Sequence, residues 1–180
     1  MDLAPGCPSQ AESLQKLHHL QKTALTDVRS LVEGLRPPAL DHGGLVSALQ
    51  QHAELSAEMV AEGSPMVGFE VSGDLAILPA AVEVVAYRIG QEAISNATKH
   101  AAAQRITVRM RRTDSDLTVE IEDDGVGVSV NGSRSGVGLA SMSERASELG
   151  GWCVNEHSPT GGTRVKAWLP ILSEDSAGRA

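Results

Sequence analysis

Residues 82–100 read VEVVAYRIGQEAISNATKH and residues 105–123 read RITVRMRRTDSDLTVEIED, a helical period followed by two runs of alternation. In the first stretch Val82, Val85, Ile89 and Ala93 recur at three- and four-residue steps, the spacing of one buried helix face. Continued, the same steps land on Asn96 and His100, so two polar groups are expected in core-facing slots, with Glu92 and Lys99 beside them. For Asn96 or His100 alone, a backbone hydrogen bond at a helix end is the simpler account. With Glu92 and Lys99 the ridge carries a carboxylate, a neutral oxygen ligand and a cation, a set that suits hydrated Mg²⁺ held with triphosphate oxygens.

In the second stretch Ile106, Val108 and Met110 point one way and Thr107, Arg109 and Arg111 the other. Asp114 and Ser115 turn the chain, and Leu117, Val119 and Ile121 then share a face. The pattern predicts an antiparallel hairpin buried on one side under helices. Period two places Asp123 on the apolar face, whereas Thr118, Glu120, Glu122 and Asp124 line the other, with Asp124 read as solvated. A carboxylate on an apolar face needs a donor. A ligand's exocyclic amine, a buried arginine or the following loop would each serve.

Outward from these stretches, Leu14, Leu17, Ala24, Val28, Leu31 and Leu35 mark a long helix over 10–37, stopped by Pro37 and Pro38. A helical run of about 25 residues within it is about 38 Å long, more than a small domain covers, so a partner helix is expected, in a homodimer or heterodimer. A second helix is predicted over Gly44–Glu62 and a strand over Met66–Ser72. After a Gly-rich loop come a helix over Val137–Leu149 and strands over Trp152–Glu156 and Thr163–Leu169. Residues 1–9 and 173–180 read as tails, leaving a globular domain over 38–172.

Composition narrows the function. With 15 Lys and Arg against 23 Asp and Glu the net charge is −8, which argues against a nucleic-acid binder. Cys7 and Cys153 make neither a disulfide framework nor a zinc spacing, and neither a membrane span nor a signal peptide is visible, so a cytoplasmic chain without membrane contact is expected. Gly125 and Gly127, then Gly136 and Gly138 before a helix, would let backbone N–H groups approach an anion. No Walker A lysine motif is present.

Taken in order, these segments resemble the GHKL ATPase family. Residues 91–100 are similar to its N box, Asp123–Gly127 to its first glycine box, Gly136–Leu139 to its second and Gly161–Thr163 to its third. The resemblance implies an α+β Bergerat fold, a two-layer sandwich of helices on one face of a mixed sheet, here preceded by the long helix. It implies that Asn96 holds Mg²⁺, that Glu92 orients metal-bound water, and that Lys99 and His100 lie near the phosphates. Asp123 would read adenine with Thr163 behind it, in a pocket shaped by Gly125, Gly127, Gly136, Gly138, Leu139 and Gly162. Residues 35–41, Gly44-Leu45 and the short span between Gly127 and Gly136 most resemble histidine kinases of the nitrate-sensor type. Such kinases carry the phosphorylated histidine on a helical hairpin and pass the phosphoryl group to a response regulator. Leu17-His18-His19-Leu20 lacks the acidic residue that follows the family's acceptor, so the acceptor is expected elsewhere. A non-catalytic, nucleotide-dependent regulatory module and an anti-sigma-factor-like serine kinase share the same boxes and stand as alternatives.

Overall fold

The structure, a computed structural model, describes residues 36–60, 63–127, 137–159 and 161–171. The predicted long helix over 10–37 lies almost wholly outside these residues, as do the two tails. The chain divides at Pro37, and every element below belongs to the unit Pro38–Ala180.

Three α-helices and five strands are described: α1 (Gly44–Glu58), β1 (Met66–Ser72), α2 (Ala80–His100), β2 (Arg105–Arg112), β3 (Asp116–Asp123), α3 (Val137–Glu148), β4 (Trp152–His157) and β5 (Thr163–Pro170). The strands form one sheet in the order β1-β2-β3-β5-β4. β1 and β2 are parallel and the other three pairs antiparallel, so the sheet is mixed. A parallel pair needs a crossover, and α2 supplies it between β1 and β2.

The β2–β3 hairpin forms as its alternation predicts, with Val108 opposite Ile121 and Met110 opposite Val119. These side chains are buried with Val165, Ala167 and Leu169 of β5, and Ile89, Ile94 and Ala97 of α2 cover them. α1 packs on α2 where Gly90 leaves room. A Cβ there would lie 2.8 Å from a Leu49 methyl, closer than side chains pack, so the Leu49 side chain would have to shift. All three helices share one side of the sheet, giving the two layers expected.

α1 is shorter than predicted, ending at Glu58 rather than Glu62. The Ser64 hydroxyl donates to the Ala57 carbonyl at 2.7 Å and the Val60 amide donates to the same oxygen, so the last turn closes early. Cys153 is buried on β4, and burial pushes its thiol up to about 11, well above the range of a reactive thiolate. Among the described residues no helix is long and apolar enough to cross a membrane.

Candidate functional site

The last three turns of α2 carry the polar ridge. Asn96 Nδ2 donates to Glu92 Oε1 at 3.2 Å, one helical turn away, and both side chains are half-buried while Lys99 is exposed. This corrects the sequence reading, which put Asn96 in a core slot. The buried stripe instead runs through Ile89, Ala93 and Ala97. A four-residue step stays near one face, whereas the three-residue step from Ala93 carries Asn96 about 60° toward the rim. The His100 side chain lies outside the described residues.

Asp123 stands where the alternation put it, at the end of β3 on the face of Leu117, Val119 and Ile121, and only 5% of it is exposed. Its Oδ1 accepts from the Gly125 amide at 2.9 Å and the Thr163 amide at 3.2 Å. The loop after β3 and the start of β5 are thus tied to one carboxylate oxygen. Among the described residues the other oxygen accepts no hydrogen bond. Asp124, read as solvated, has a structural task although its side chain is exposed. Its Oδ1 accepts from the amides of Gln104 at 2.8 Å and Arg105 at 2.9 Å, and these bonds hold its carboxyl below the ordinary value.

The glycines act through packing. A Cβ on Gly125 would collide with the Ala101 carbonyl, to which the Val126 amide also donates at 2.8 Å, so the loop hangs from the end of α2. A Cβ on Gly138 would strike the Glu92 carboxylate, and one on Gly162 would strike the backbone and side-chain oxygens of Asp123. Gly127 has φ +73°, the left-handed region, close to Gly161 and His157. Leu139 packs part-buried against the core. Glu92 therefore adjoins the first turn of α3, Ala101 adjoins the first glycine loop, and Asp123 adjoins the Gly162-Thr163 turn. Asn96 lies between the first two contacts, on about 14 Å of helix. Gly136 and the rest of 128–136 lie outside the described residues.

Sequence reasoning missed Glu122. It points away from the core, as read, yet only 10% of its side chain is exposed. Arg109 donates to it at 2.7 Å, Arg164 at 3.2 Å, and the Ser158 hydroxyl also donates to it. Those bonds, Ser158's foremost and Arg109's next, hold its carboxyl down to about 2 from an ordinary 4.5. Glu122 thus pins the 158–162 turn from one side of the sheet while Asp123 pins it from the other. A depressed carboxyl stabilises the fold fully above pH 4.5 and ceases to as pH falls toward 2. Glu122→Gln is expected to lower stability at neutral pH by about 1–3 kcal/mol. It should also flatten the acid loss in that window, which urea midpoints measured from pH 6 downward would report. An unaltered acid profile would remove Glu122 from this role.

A metal held by protein alone is not supported: among the described residues no cluster of three or more His, Cys, Asp or Glu is present. One amide oxygen and one carboxylate do fit Mg²⁺, which keeps several waters and borrows oxygens from its ligand. Asn96 Nδ2 is spent on Glu92, and among the described residues Asn96 Oδ1, the harder donor atom, accepts no hydrogen bond.

Residues 81–173, just over half of the chain, match the family described as histidine kinase-, DNA gyrase B-, and HSP90-like ATPase. The chain is 30% identical to the signal transduction histidine-protein kinase/phosphatase DegS of Brevibacillus brevis over 94% of its own length and 44% of that protein's. It is 35% identical to the histidine-protein kinase/phosphatase UhpB of Salmonella typhimurium over 88% of its length and 31% of that protein's. It therefore spans less than half of the curated relatives it matches. Among solved structures, the ATP binding domain of PrrB from Mycobacterium tuberculosis superposes with a TM-score of 0.53 at 27% identity, covering 69% of this chain and 92% of that one. A blue-light activated histidine kinase from Erythrobacter litoralis superposes at 0.62 and 20% identity, over 91% and 64%, a likeness of fold.

Proposed function

This chain belongs to the histidine kinase-, DNA gyrase B- and HSP90-like ATPase family, and on that premise we propose that it is the ATP-binding domain of a sensor histidine kinase, passing the γ-phosphoryl group of ATP to a histidine on a separate helical hairpin. The observation that carries the reading is Asp123, a buried carboxylate with one oxygen committed to the Gly125 and Thr163 amides and the other left for an adenine amine. In this reading Gly162 keeps the floor of the base site free of side chain, while Gly125, Gly127, Gly136 and Gly138 with Leu139 shape its walls. Glu92 and Asn96 sit one turn apart on α2; Asn96 would hold Mg²⁺ and Glu92 would orient metal-bound water, with Lys99 and His100 serving the phosphates. Bound there, Mg²⁺ would neutralise charge on the triphosphate oxygens.

In the transfer itself the bond from the γ-phosphorus to its bridging oxygen breaks, ADP leaves with that electron pair, and an imidazole nitrogen forms the new P–N bond. The domain's share of the work is positioning and electrostatics. The hairpin, a response regulator and dimerisation through residues 10–37 complete the proposed assembly.

Mixing the chain with a histidine-bearing hairpin of a relative and γ-labelled ATP should give acid-labile phosphoprotein. Normal ATP binding without transfer would favour a regulatory module, and an acid-stable phosphoserine would favour the serine-kinase alternative. Asn96→Ala is expected to abolish the Mg²⁺-dependent part of ATP affinity and spare part of the metal-free binding, as calorimetry with and without EDTA would show. Equal losses in both conditions would place Asn96 away from the metal.

A further inference from the structure

The side of the sheet opposite the helices carries a feature that the nucleotide reading does not use. Its residues alternate with the buried ones: Glu70 on β1, Arg109 and Arg111 on β2, Thr118 and Glu120 on β3, Lys166 and Trp168 on β5, and Trp152 on β4. Together they line a concavity of about 520 Å³ that crosses all five strands. At about 4.8 Å per strand interval its run is about 19 Å, the length of some six extended residues. No described element covers it.

Two properties separate this face from an ordinary solvated one. The chain has only two tryptophans, and both are here, directly opposite each other across the β4–β5 ladder, with Trp152 42% exposed. Exposed indoles on a concave face are unfavourable unless something covers them, and Trp and Arg dominate the energetics of protein recognition. The charges are also divided. Arg109 is paired with Glu70, Glu120 and Glu122, and Arg164 with Glu120 and Glu122. Arg111 and Lys166, which flank Thr118 and the tryptophans, make no hydrogen bond or ion pair among the described residues. In a chain of net charge −8 this leaves two unengaged cations beside an aromatic shelf.

We propose that this groove docks an acidic peptide segment of a partner protein, its carboxylates meeting Arg111 and Lys166 and an apolar side chain lying on Trp152 and Trp168. Charge complementarity selects this occupant. A second copy presenting the same face would add two more unengaged cations while its groove carboxylates Glu70 and Glu120 are already paired, and a flat anionic membrane would leave a concave groove unfilled. The proposal involves no residue of the nucleotide site, so it stands or falls independently of that reading.

Because every tryptophan of the chain lies in the groove, its indole emission reports on this place alone. The full chain is titrated with a capped six-residue peptide of alternating Glu and Leu, with its Lys-for-Glu counterpart, and with phosphatidylglycerol vesicles. Expected is a saturable emission change with the acidic peptide, weakened by added salt and absent with the basic one. Arg111→Glu combined with Lys166→Glu should weaken the acidic peptide at least about tenfold, and the milder pair Arg111→Gln and Lys166→Gln by less, with circular dichroism unchanged. No response to the acidic peptide, an equal response to the basic one, a response to vesicles alone, or a signal that tracks protein concentration as self-association would each overturn the proposal.

Discussion

Asp123→Asn is expected to fold like the parent and to bind ATP on the order of ten- to a hundredfold more weakly, a loss of about 1.5–3 kcal/mol. The two oxygens have separate duties. Oδ1 accepts from the amides of Gly125 and Thr163, and an asparagine carbonyl oxygen can take over both bonds. The remaining position then becomes an NH₂ group, a donor facing the donor of adenine. The fold keeps its link between loop and strand while the base meets an opposed dipole. The same geometry predicts a change of preference. A hypoxanthine base has a carbonyl where adenine has its amine, so the parent should favour ATP over inosine triphosphate and the variant should narrow or reverse the ratio. Calorimetry with both nucleotides, alongside a thermal melt, tests this. Unchanged ATP affinity in a stable variant would take Asp123 out of the site.

Asp123 was legible because it breaks a pattern. Period two along Leu117, Val119 and Ile121 leaves no freedom about which face the next residue joins, and a carboxylate on an apolar face signals something unusual. Glu122 broke nothing. Its face was expected to be polar, and only the pairing of β2, β3 and β5 brings Arg109 and Arg164 onto it. The facing alternations, Thr107 and Arg109 against Glu120 and Glu122, carried a partial hint. Nothing local announced Ser158, 36 residues on. Asn96 was misplaced because a helix is read by angle, and an allowed mixture of three- and four-residue steps drifts from core to rim within two turns.

The elements themselves were legible for a similar reason. Helices and strands announce themselves by local period, so β1, α2 and both hairpin strands lie within two residues of the stretches read from the sequence. The order β1-β2-β3-β5-β4, with β1 parallel to β2, is written in no local period; the resemblance to a known family supplied the mixed sheet, and α2 is the crossover that lets β1 and β2 run parallel. The glycines occupy the middle ground. As letters they suggest an anion loop, yet in the fold Gly125, Gly138 and Gly162 are each pressed against a carbonyl or carboxylate from a distant segment. Their shared property is the absence of a Cβ.

Gly162→Ala is accordingly expected to be the most damaging of the small changes, lowering stability by about 3 kcal/mol, the upper end for overpacking, and removing ATP binding with it. The new Cβ would lie inside contact distance of the Asp123 carbonyl and carboxylate, and neither can step aside cheaply. The carbonyl belongs to β3, and the carboxylate is held by two amides. Backing the turn away is opposed on its other flank, where Ser158 donates its amide to Gly162 and its hydroxyl to Glu122. Two neighbouring glycines give the comparison. Gly161 has φ +108° but open space around it, so Gly161→Ala should suffer backbone strain alone, about 1 kcal/mol. Gly68 on β1 has neither positive φ nor a near neighbour, and Gly68→Ala should be close to neutral. At about 2–4 °C per kcal/mol for a domain of this size, melting curves should rank the three in the order 162, 161, 68. A Gly162→Ala protein that melts with the parent and binds ATP normally would mean that the β4–β5 turn does not rest on Asp123, and the site as built here would lose its floor.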